Sequence, residues 1–355
     1  MRNSMPPISY ISKHDQCHHH GQIIHTRYTV ENSLGAWPGD NKHNCPLGYD
    51  CPDPTLLPMD RYGQSRWVEV GAGGTEDVSF TARAEDDWLI VSPRGGHIKR
   101  DGSTDTRVTI SVDWENIAPP QNGKTEMLLG KVAFTSSDGS TMAATIPILN
   151  HVRPDKGFTG AVQGDGYVAI ESAHHQSSDP ATVEEIQYAW EEIPFYGRTH
   201  SGMAIFPVSS QRFEPGKGPS LRYDFWATGD ADGDAKRKVD VALQIGPTLN
   251  FILGKPLQLA VQMDDQTPIV IQPIPDAPLG SLPADWGEVV SNEIRNLNLP
   301  MEVQGEVPGK HSLTLWAMST GIVAERVILD FGGVSERGNS YLGPPESVIM
   351  RPRET

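Results

Sequence analysis

The sequence predicts an all-β protein in which an immunoglobulin-like β-sandwich is followed by a jelly-roll-like β-sandwich with one helix. Three observations favour this fold class. The chain has 355 residues, the length of about two domains. Gly and Pro contribute 35 and 29 residues, so turns are frequent and regular elements are short. From Arg66 onwards, short runs alternate apolar and polar residues with a period of two, which is typical of strands with one buried face.

Residues 1–60 are predicted to be an irregular linker. Prolines are spread through this segment, beginning with Pro6 and Pro7, and each one removes a backbone donor and blocks a helix. Residue types that are usually buried, such as Trp37 and Tyr49, also occur here. We therefore expect this linker to lie against another part of the protein.

The first sandwich is predicted over residues 61–155. Short runs rich in Val, Ile, Thr and aromatic residues follow one another here, separated by turn sequences such as RDGS and SDGS. The runs are WVEVG, DVSFTARA, WLIVSP, TRVTISVDW, KVAFTSS and AATIPILN. The pattern stops at HVRPDKGFTG, which indicates the domain boundary.

The second sandwich is predicted over residues 156–355. Its alternating runs are YVAIES, GMAIFPV, LRYDFWAT, KVDVALQIG, QLAVQMD, PIVIQPI, HSLTLWAM and VAERVILDF. One helix is predicted in ADWGEVVSNEIRNLN, because Pro283 suits its first turn and Trp286, Val289, Ile294 and Leu297 recur at helical spacing. Strands with a single helix favour a jelly roll over a barrel of alternating strands and helices.

The charge balance excludes two classes of partner. Lys and Arg number 29 against 45 Asp and Glu, so the formal net charge is -16. Such a chain repels both nucleic acid and anionic lipid, and we expect neither nucleic acid nor a membrane as a partner. No apolar run approaches the roughly 18 residues of a membrane span, and no signal peptide follows Met1, so localisation stays unknown for the chain as written.

Two segments contain metal-ligating residue types, but we expect neither to bind a metal. The run from His14 to His20 is dense in imidazole, yet adjacent residues in a flexible segment do not converge on one centre. Asp230, Asp232 and Asp234 alternate as in calcium loops, without the Gly and Glu that such a loop requires further on. No cofactor and no metal is therefore predicted.

The cysteines leave one question open. Cys45 and Cys51 bracket the loop CPLGYDC, where they either form a disulfide or stay free, and Cys17 is left over. All three precede the predicted sandwiches, so we expect neither sandwich to depend on a disulfide.

No catalytic residue is assigned from the sequence. Glycoside hydrolysis requires two carboxylates facing each other across a cleft. Acidic residues are plentiful without forming an evident pair, and we expect most of them to be solvated: Glu184, Glu185, Glu191, Glu192, Asp264 and Asp265. The chain also has no G-x-S-x-G elbow, no P-loop and no H-E-x-x-H motif.

Aromatic residues give the best candidate for a binding surface, since sugar rings stack on Trp and Tyr. Trp226 and Trp316 lie inside strand patterns and are predicted to belong to the core. Trp190 and Tyr196 lie in the loop-rich sequence QYAWEEIPFYGRTHSG, where Arg198 is available to pair with a uronic acid carboxylate. We therefore predict a carbohydrate-binding surface formed by Trp190, Tyr196 and Arg198.

Several longer segments resemble the C-terminal region of family 115 glycoside hydrolases, the xylan α-1,2-glucuronidases. They are GYVAIESAHH, WEEIPFYGRTHSGMAIFPV, GPTLNF, WGEVVSNEIRNL, PGKHSLTLWAM, VILDFGG and YLGPPES, in the family's order. The resemblance extends upstream to MPPISYIS, RYTVENSLGAWPGDNKHNCPLGYDCPDPTLLPMDRYG and SRWVEVGAGG, which are similar to fungal members. It thus covers nearly the whole chain.

The resemblance implies a non-catalytic role for this chain alone. In the family, the catalytic barrel lies upstream of these segments, so Met1 falls inside the family's sequence and residues 1–60 correspond to the end of the preceding region. The implied partners are that barrel, glucuronoxylan as a weakly bound glycan, and a second copy in a homodimer. Two alternatives stay open: a complete extracellular hydrolase that releases 4-O-methylglucuronic acid from glucuronoxylan, or a stand-alone carbohydrate-binding protein.

The sequence departs from the family pattern at two positions. Ala173 stands in IESAH where members commonly have a second Glu, and His200 stands in GRTHS where they often have Gly. A ligand or calcium role that depends on the second Glu is therefore not expected here.

Overall fold

The protein is almost entirely β-structure, which confirms the predicted fold class. The computed structural model describes residues 17–19, 22–33, 35–37, 52–121, 123–229, 237–336 and 341–351. The chain divides into two compact units, Met1–His151 and Val152–Thr355. No helix among the described residues has the length and apolar character needed to cross a membrane.

The first unit contains a five-stranded sheet, in the order β4-β11-β10-β6-β8, and a four-stranded sheet, in the order β3-β5-β9-β7. A short hairpin of β1 and β2 lies outside these sheets. The strands are β1 (Cys17–His19), β2 (Gln22–Ile24), β3 (Thr26–Val30), β4 (Met59–Asp60), β5 (Arg66–Ala72), β6 (Val78–Ala84), β7 (Leu89–Ser92), β8 (Gly95–Ile98), β9 (Thr106–Val112), β10 (Glu126–Ser136) and β11 (Thr141–Asn150).

Alternation along the strands produces the core of this unit. In β6, Val78, Phe80 and Ala82 are buried while the residues between them are exposed. The inward side chains of both larger sheets, including Val108 and Phe134, form one apolar cluster. The period of two in the sequence thus corresponds to one buried face per strand.

Strand β3 lies in the segment for which the sequence predicts an irregular linker. Its residues pair antiparallel with β5, from Thr26 opposite Ala72 to Val30 opposite Val68. The side-chain carboxylate of Asp138, in the turn between β10 and β11, accepts hydrogen bonds from the backbone N–H groups of His25 and Thr26 at 2.7 and 2.9 Å. Contacts distant in sequence therefore hold this strand in the sheet.

The second unit consists of two seven-stranded sheets around a separate core. One has the order β21-β20-β23-β18-β12-β25, with β14 paired to β18; the other has the order β15-β16-β17-β24-β19-β22, with β13 paired to β24. The strands are β12 (Gly160–Val162), β13 (Tyr167–Glu171), β14 (Ser177–Asp179), β15 (Ala181–Val183), β16 (Ile186–Pro194), β17 (Ser201–Phe206), β18 (Ser220–Ala227), β19 (Arg237–Ile245), β20 (Leu259–Met263), β21 (Ile269–Ile271), β22 (Arg295–Val303), β23 (Gly309–Ala317), β24 (Val323–Asp330) and β25 (Ile349–Met350).

Strand β18 separates the core from a polar outer surface. Leu221, Tyr223 and Phe225 are fully buried and belong to the core cluster. Arg222 and Asp224, which alternate with them, therefore lie on the opposite face of the sheet. This outer face forms the floor of the candidate site described below.

The helix is shorter than the sequence predicts. It spans Trp286–Asn292 and ends because Glu293 adopts a left-handed conformation, with φ of 62°. The following residues, Arg295–Val303, pair with β19 as a strand. The Arg295 guanidinium forms a bidentate ion pair with the Asp285 carboxylate, at 2.8 and 2.9 Å. This ion pair links the first residue of the strand to the residue that precedes the helix. Gly333–Glu336 adds one further helical turn.

Candidate functional site

A cleft with a volume of about 720 Å³ opens in the second unit. Its floor is the outer face of strands β18 and β23, and its walls come from the segment after β13, from β14 and from the residues at β25. It is lined by Thr159, Ala173, His174, His175, Gln176, Ser177, Arg222, Asp224, Lys310, Ile349, Met350 and Arg351. The lining is thus mostly polar or charged and comes from distant parts of the sequence.

Asp224 holds the two cationic side chains of the floor in place. Its Oδ1 atom accepts a hydrogen bond from Nε of Arg222 at 2.8 Å, and its Oδ2 atom lies 2.6 Å from Nζ of Lys310. The Asp224 side chain is 10% exposed, whereas those of Arg222 and Lys310 are 48% and 50% exposed. The carboxylate is therefore covered while both cations remain accessible to a ligand.

The wall of the cleft is tied to its floor through backbone contacts. Strand β14 pairs with β18, with Ser177 opposite Arg222. The side-chain Oε1 atom of Gln176 accepts a hydrogen bond from the backbone N–H of Asp224 at 2.6 Å. The lining residues Ser177, Arg222, Asp224 and Lys310 therefore lie on paired strands, which favours a floor whose geometry is fixed before a ligand binds.

The charge of the cleft is opposite to that of the whole chain. The three cations Arg222, Lys310 and Arg351 outweigh the single carboxylate of Asp224, which gives a local charge of 3 minus 1, or +2, with His174 and His175 neutral. The complete sequence has a formal charge of -16. A cationic cleft on an acidic protein attracts anionic ligands selectively.

A partly buried polar network borders the cleft on the side of His174. The His174 ring is 2.7 Å from Oε1 of Glu346, and this same oxygen accepts the backbone N–H of Glu171 at 3.0 Å. The Glu171 carboxylate forms an ion pair with Arg326 at 3.3 Å and accepts a hydrogen bond from the Thr199 hydroxyl at 2.8 Å. The network thus connects the wall of the cleft with the loop of residues 195–200.

That loop rests on a second buried carboxylate. Glu325 is 4% exposed, and its Oε2 atom accepts the backbone N–H of Arg198 at 3.3 Å. Gly197 has a φ of 91°, and a Cβ atom at this position would overlap the Glu325 carboxylate. The guanidinium of Arg198 stacks over the ring of Tyr341 at 3.7 Å. Glycine is therefore required at the turn for both its backbone conformation and its lack of a side chain.

The environment of Glu325 favours its neutral form. The pKa of Glu325 is raised to about 7, chiefly by burial and with a smaller contribution from the nearby carboxylates of Glu171 and Glu293, against the opposing effect of Arg198. Burial also raises the pKa of the Tyr196 hydroxyl, with a contribution from the Glu325 charge. The loop therefore lies over a carboxyl group that titrates near neutral pH.

Comparison with known families identifies the unit that contains this cleft. Residues 160–346 match the family model of the glycosyl hydrolase family 115 C-terminal domain, over more than half of the 355-residue chain. The chain belongs to this family. Most lining residues of the cleft, and all residues of the adjoining polar network, lie within the matched range, whereas Thr159, Ile349, Met350 and Arg351 lie just outside it.

Solved structures with detectable similarity share little sequence with the family 115 chain. One is a family GH115 4-O-methyl-α-glucuronidase with specificity for decorated arabinogalactans, at 17% identity and a TM-score of 0.29, covering 50% of this chain and 18% of that one. Another is the C-terminal family 6 carbohydrate-binding module of a laminarinase from Zobellia galactanivorans, at 9% identity and a TM-score of 0.28, covering 46% of this chain and 98% of the module. A family 35 carbohydrate-binding module from an environmental isolate has the same identity and TM-score, covering 46% of this chain and 93% of the module. The chain thus spans about a fifth of the glucuronidase, and no curated protein matches it.

The family 115 domain brings together only two of the three predicted site residues. Tyr196 and Arg198 are half-buried neighbours in the 195–200 loop. Trp190 points into the core instead: it is 6% exposed, belongs to the main apolar cluster, and its Nε1 atom donates to the Pro219 carbonyl at 3.2 Å. In this structure its ring has no free face on which a sugar could stack. Trp190 faces inward because it lies on strand β16, whereas the sequence predicted a loop at this position.

The other tryptophans divide between core and surface. Trp226 is 4% exposed, as predicted, and packs edge-on against Phe158. Trp316 is only partly buried, because it lies on the outer face of β23, where its Nε1 atom donates to Gln262 at 2.8 Å.

Most of the predicted metal and cysteine features lie outside the described residues. This holds for Asp230, Asp232 and Asp234, for Cys45 and Cys51, and for the side chains of the His14–His20 run. Within the part of the chain that the structure describes, no three His, Cys, Asp or Glu residues are arranged to hold a metal ion.

The cleft was harder to predict from the sequence than the 195–200 loop. Arg222 and Asp224 alternate with buried residues in LRYDFWAT, so their outward direction was predictable from the strand pattern. Their proximity to Lys310, His174 and Arg351 was not, because it depends on the sheet order that places β23 and β14 beside β18.

Proposed function

We propose that this chain is a non-catalytic, glycan-contacting module of a family 115 enzyme, of the kind that acts on xylan bearing glucuronic acid. The observation that supports the proposal is the polar cleft of about 720 Å³ within the family domain. Its volume falls in the range of roughly 300 to 1,000 Å³ typical of small-molecule sites, enough for one or two sugar units. A module of this type would hold the polysaccharide near the catalytic region.

The chemistry of the lining fits sugar hydroxyl groups. Gln176, Ser177 and Thr159 provide neutral donors and acceptors, while Arg222 and Lys310 provide charged donors. Ile349 and Met350 add apolar surface for the CH groups of a sugar ring. This mixture of a few directed polar groups with apolar contact is common in carbohydrate and other small-molecule sites.

The same lining supports a binding role over a hydrolytic one. Asp224 is the one carboxylate among the described residues that line the cleft, and it is already paired with two cations. A glycoside hydrolase requires two carboxyl groups, one of which must be able to donate a proton. We therefore infer that hydrolysis depends on a catalytic barrel that the family places upstream.

Affinity electrophoresis on glucuronoxylan tests the binding role. We expect retardation of the purified chain, and reduced retardation of an Arg222→Gln, Lys310→Gln double variant whose folding is verified by a cooperative thermal transition. An unretarded wild-type chain would contradict the proposal. Incubation of the chain with glucuronoxylan tests the alternative of an intact hydrolase, which predicts release of 4-O-methylglucuronic acid.

An assembly role is a second candidate, supported by a separate apolar surface. A hollow of about 250 Å³ is lined by apolar residues together with a few polar ones, and its rim residues Leu253 and Leu279 are 83% and 87% exposed. Phe251, beside Ile252 of the lining, is 51% exposed. Exposed apolar groups this close together favour a protein contact. We propose the catalytic barrel of the same enzyme as the partner.

Co-purification of this chain with a separately expressed family 115 barrel tests the assembly role. A Leu253→Asp, Leu279→Asp variant should lose the complex. Sedimentation of the chain alone distinguishes the alternative of a homodimer, which the same variant should convert to monomers.

A further inference from the structure

We propose that the cleft selects acidic sugars, with the anionic group of a hexuronate bound by Arg222 and Lys310. This inference rests on the proposed glycan-binding function and adds the class of sugar. It assigns the ligand-contacting role to two cations on neighbouring strands, at positions separate from the 195–200 loop that the sequence pointed to.

The first argument is the arrangement of charge. Arg222 and Lys310 lie on adjacent strands, β18 and β23, and the Asp224 carboxylate between them neutralises only one of the two charges. Arg351 adds a further cation to the rim. Since the chain as a whole is strongly acidic, an anion approaching the surface is repelled generally and attracted at this cleft.

The second argument is preorganisation. Asp224 is covered and hydrogen-bonded from its own backbone N–H to Gln176, so it is a fixed point to which both cations are attached. Long cationic side chains usually lose conformational entropy when they bind a ligand. Here the contacts with Asp224 already restrict both side chains in the folded protein, so less entropy is lost on binding. Nε of Arg222 is used by Asp224, while among the described residues its terminal Nη atoms have no hydrogen-bond partner. These Nη atoms can donate hydrogen bonds to the oxygens of a ligand carboxylate.

The third argument distinguishes an acidic sugar from a bare anion. A cleft of about 720 Å³ is far larger than one carboxylate, sulfate or phosphate group requires. The neutral groups of Gln176 and Ser177 and the apolar Met350 lie beside the cations and would contact the rest of a ring. Asp224 itself disfavours a doubly charged group such as inorganic phosphate, because a second negative charge would lie close to its carboxylate.

A pair of gels tests the inference on the full chain. One contains glucuronoxylan and the other the same polymer after chemical reduction of its carboxyl groups to alcohols. We expect an apparent affinity at least about tenfold higher for the native polymer, and a loss of this preference in Arg222→Gln and in Lys310→Gln. The matched control is Lys217→Gln, which removes the same charge from an exposed side chain that does not line the cleft.

The outcomes separate this inference from the function on which it rests. Equal retardation on both polymers would overturn the selectivity for acidic sugars and leave glycan binding intact. Retardation on neither polymer would overturn both. Competition identifies the anion: free glucuronate should release the chain from native glucuronoxylan, and equal release by glucose 6-sulfate or inorganic phosphate would show a general anion site instead.

Discussion

Two side chains at the 195–200 loop contain buried polar atoms whose environment is energetically unfavourable. Glu325 is buried with one carboxylate oxygen, Oε1, that has no hydrogen-bond partner among the described residues, and Nε of Arg198 is in the same condition. Buried polar atoms without partners are unfavourable by about 1 to 3 kcal/mol each. Protonation of Glu325 reduces this cost, which agrees with a pKa of about 7.

The raised pKa of Glu325 predicts stability that depends on pH. Since the pKa rises from 4.5 in the unfolded chain to about 7 in the folded one, the protonated form stabilises the fold fully below pH 4.5 and this contribution is lost as the pH rises through 7. Glu325→Gln should therefore remove up to about 3 kcal/mol of pH dependence and should be more stable than the wild type at pH 8. Urea denaturation between pH 5 and pH 8.5 measures this.

The exposed Glu302 provides the control for that experiment. Glu302→Gln removes a carboxylate of the same type from the surface and should leave the pH profile unchanged. If Glu325→Gln keeps the slope of the wild type, the carboxyl does not titrate near neutral pH in the folded protein.

The turn at Gly197 gives a second prediction at this scale. Gly197→Ala combines an unfavourable φ of 91° with an overlap against Glu325, so we expect a loss of about 2 to 4 kcal/mol in unfolding free energy. Gly216→Ala separates the two effects, because Gly216 has a φ of 76° with its nearest neighbour 3.8 Å away, and should lose only about 1 kcal/mol. Equal losses for both variants would show that the overlap is relieved without cost.

At the scale of elements, the sequence predicted strands better than it predicted their boundaries. The period of two identified strands such as β6, in which buried and exposed residues alternate. The helix was predicted to extend to residue 298, since Ile294 and Leu297 continue its spacing, although β22 begins at Arg295. Local spacing could not reveal that pairing with β19 stabilises these residues as a strand.

Strand β3 was missed for the same reason, and its attachment can be tested. Asp138 accepts the N–H groups of His25 and Thr26 and the Thr26 hydroxyl, so one carboxylate joins β3 to the turn of the other sheet. Burial acts to raise the Asp138 pKa, but these bonds and those of Ser140 lower it overall. Its contribution to stability is therefore present at neutral pH and lost under acid.

Asp138→Ala should destabilise the first unit by about 2 to 4 kcal/mol, because two buried backbone donors lose their acceptor. Amide hydrogen exchange should increase most in Thr26–Val30. Asp77→Ala is a matched control, since the Asp77 carboxylate accepts the backbone N–H of Arg100 on an exposed part of the same unit. Unchanged exchange in Thr26–Val30 would mean that pairing with β5 alone holds the strand.

At the scale of the molecule, composition was enough to predict the fold class. The position of the cleft depends instead on the order of the strands in the sheet. Gly, Pro and alternating runs were enough to predict the all-β fold class, because those features act locally. The cleft combines residues from 159 to 351, nearly the full length of the second unit, and only the order of the strands unites them. The net charge of -16 therefore gives no indication that the chain contains a cationic site.

The separate cores predict that the second unit carries the binding function alone. Each unit has its own apolar cluster, and among the described residues no member of either core cluster comes from the other unit. We therefore expect a fragment of residues 152–355 to fold by itself, with a cooperative thermal transition, and to be retarded by glucuronoxylan as strongly as the whole chain. The complementary fragment of residues 1–151 should fold without retardation. If 152–355 folds but does not bind while the whole chain does, the cleft on β18 and β23 is not sufficient for binding.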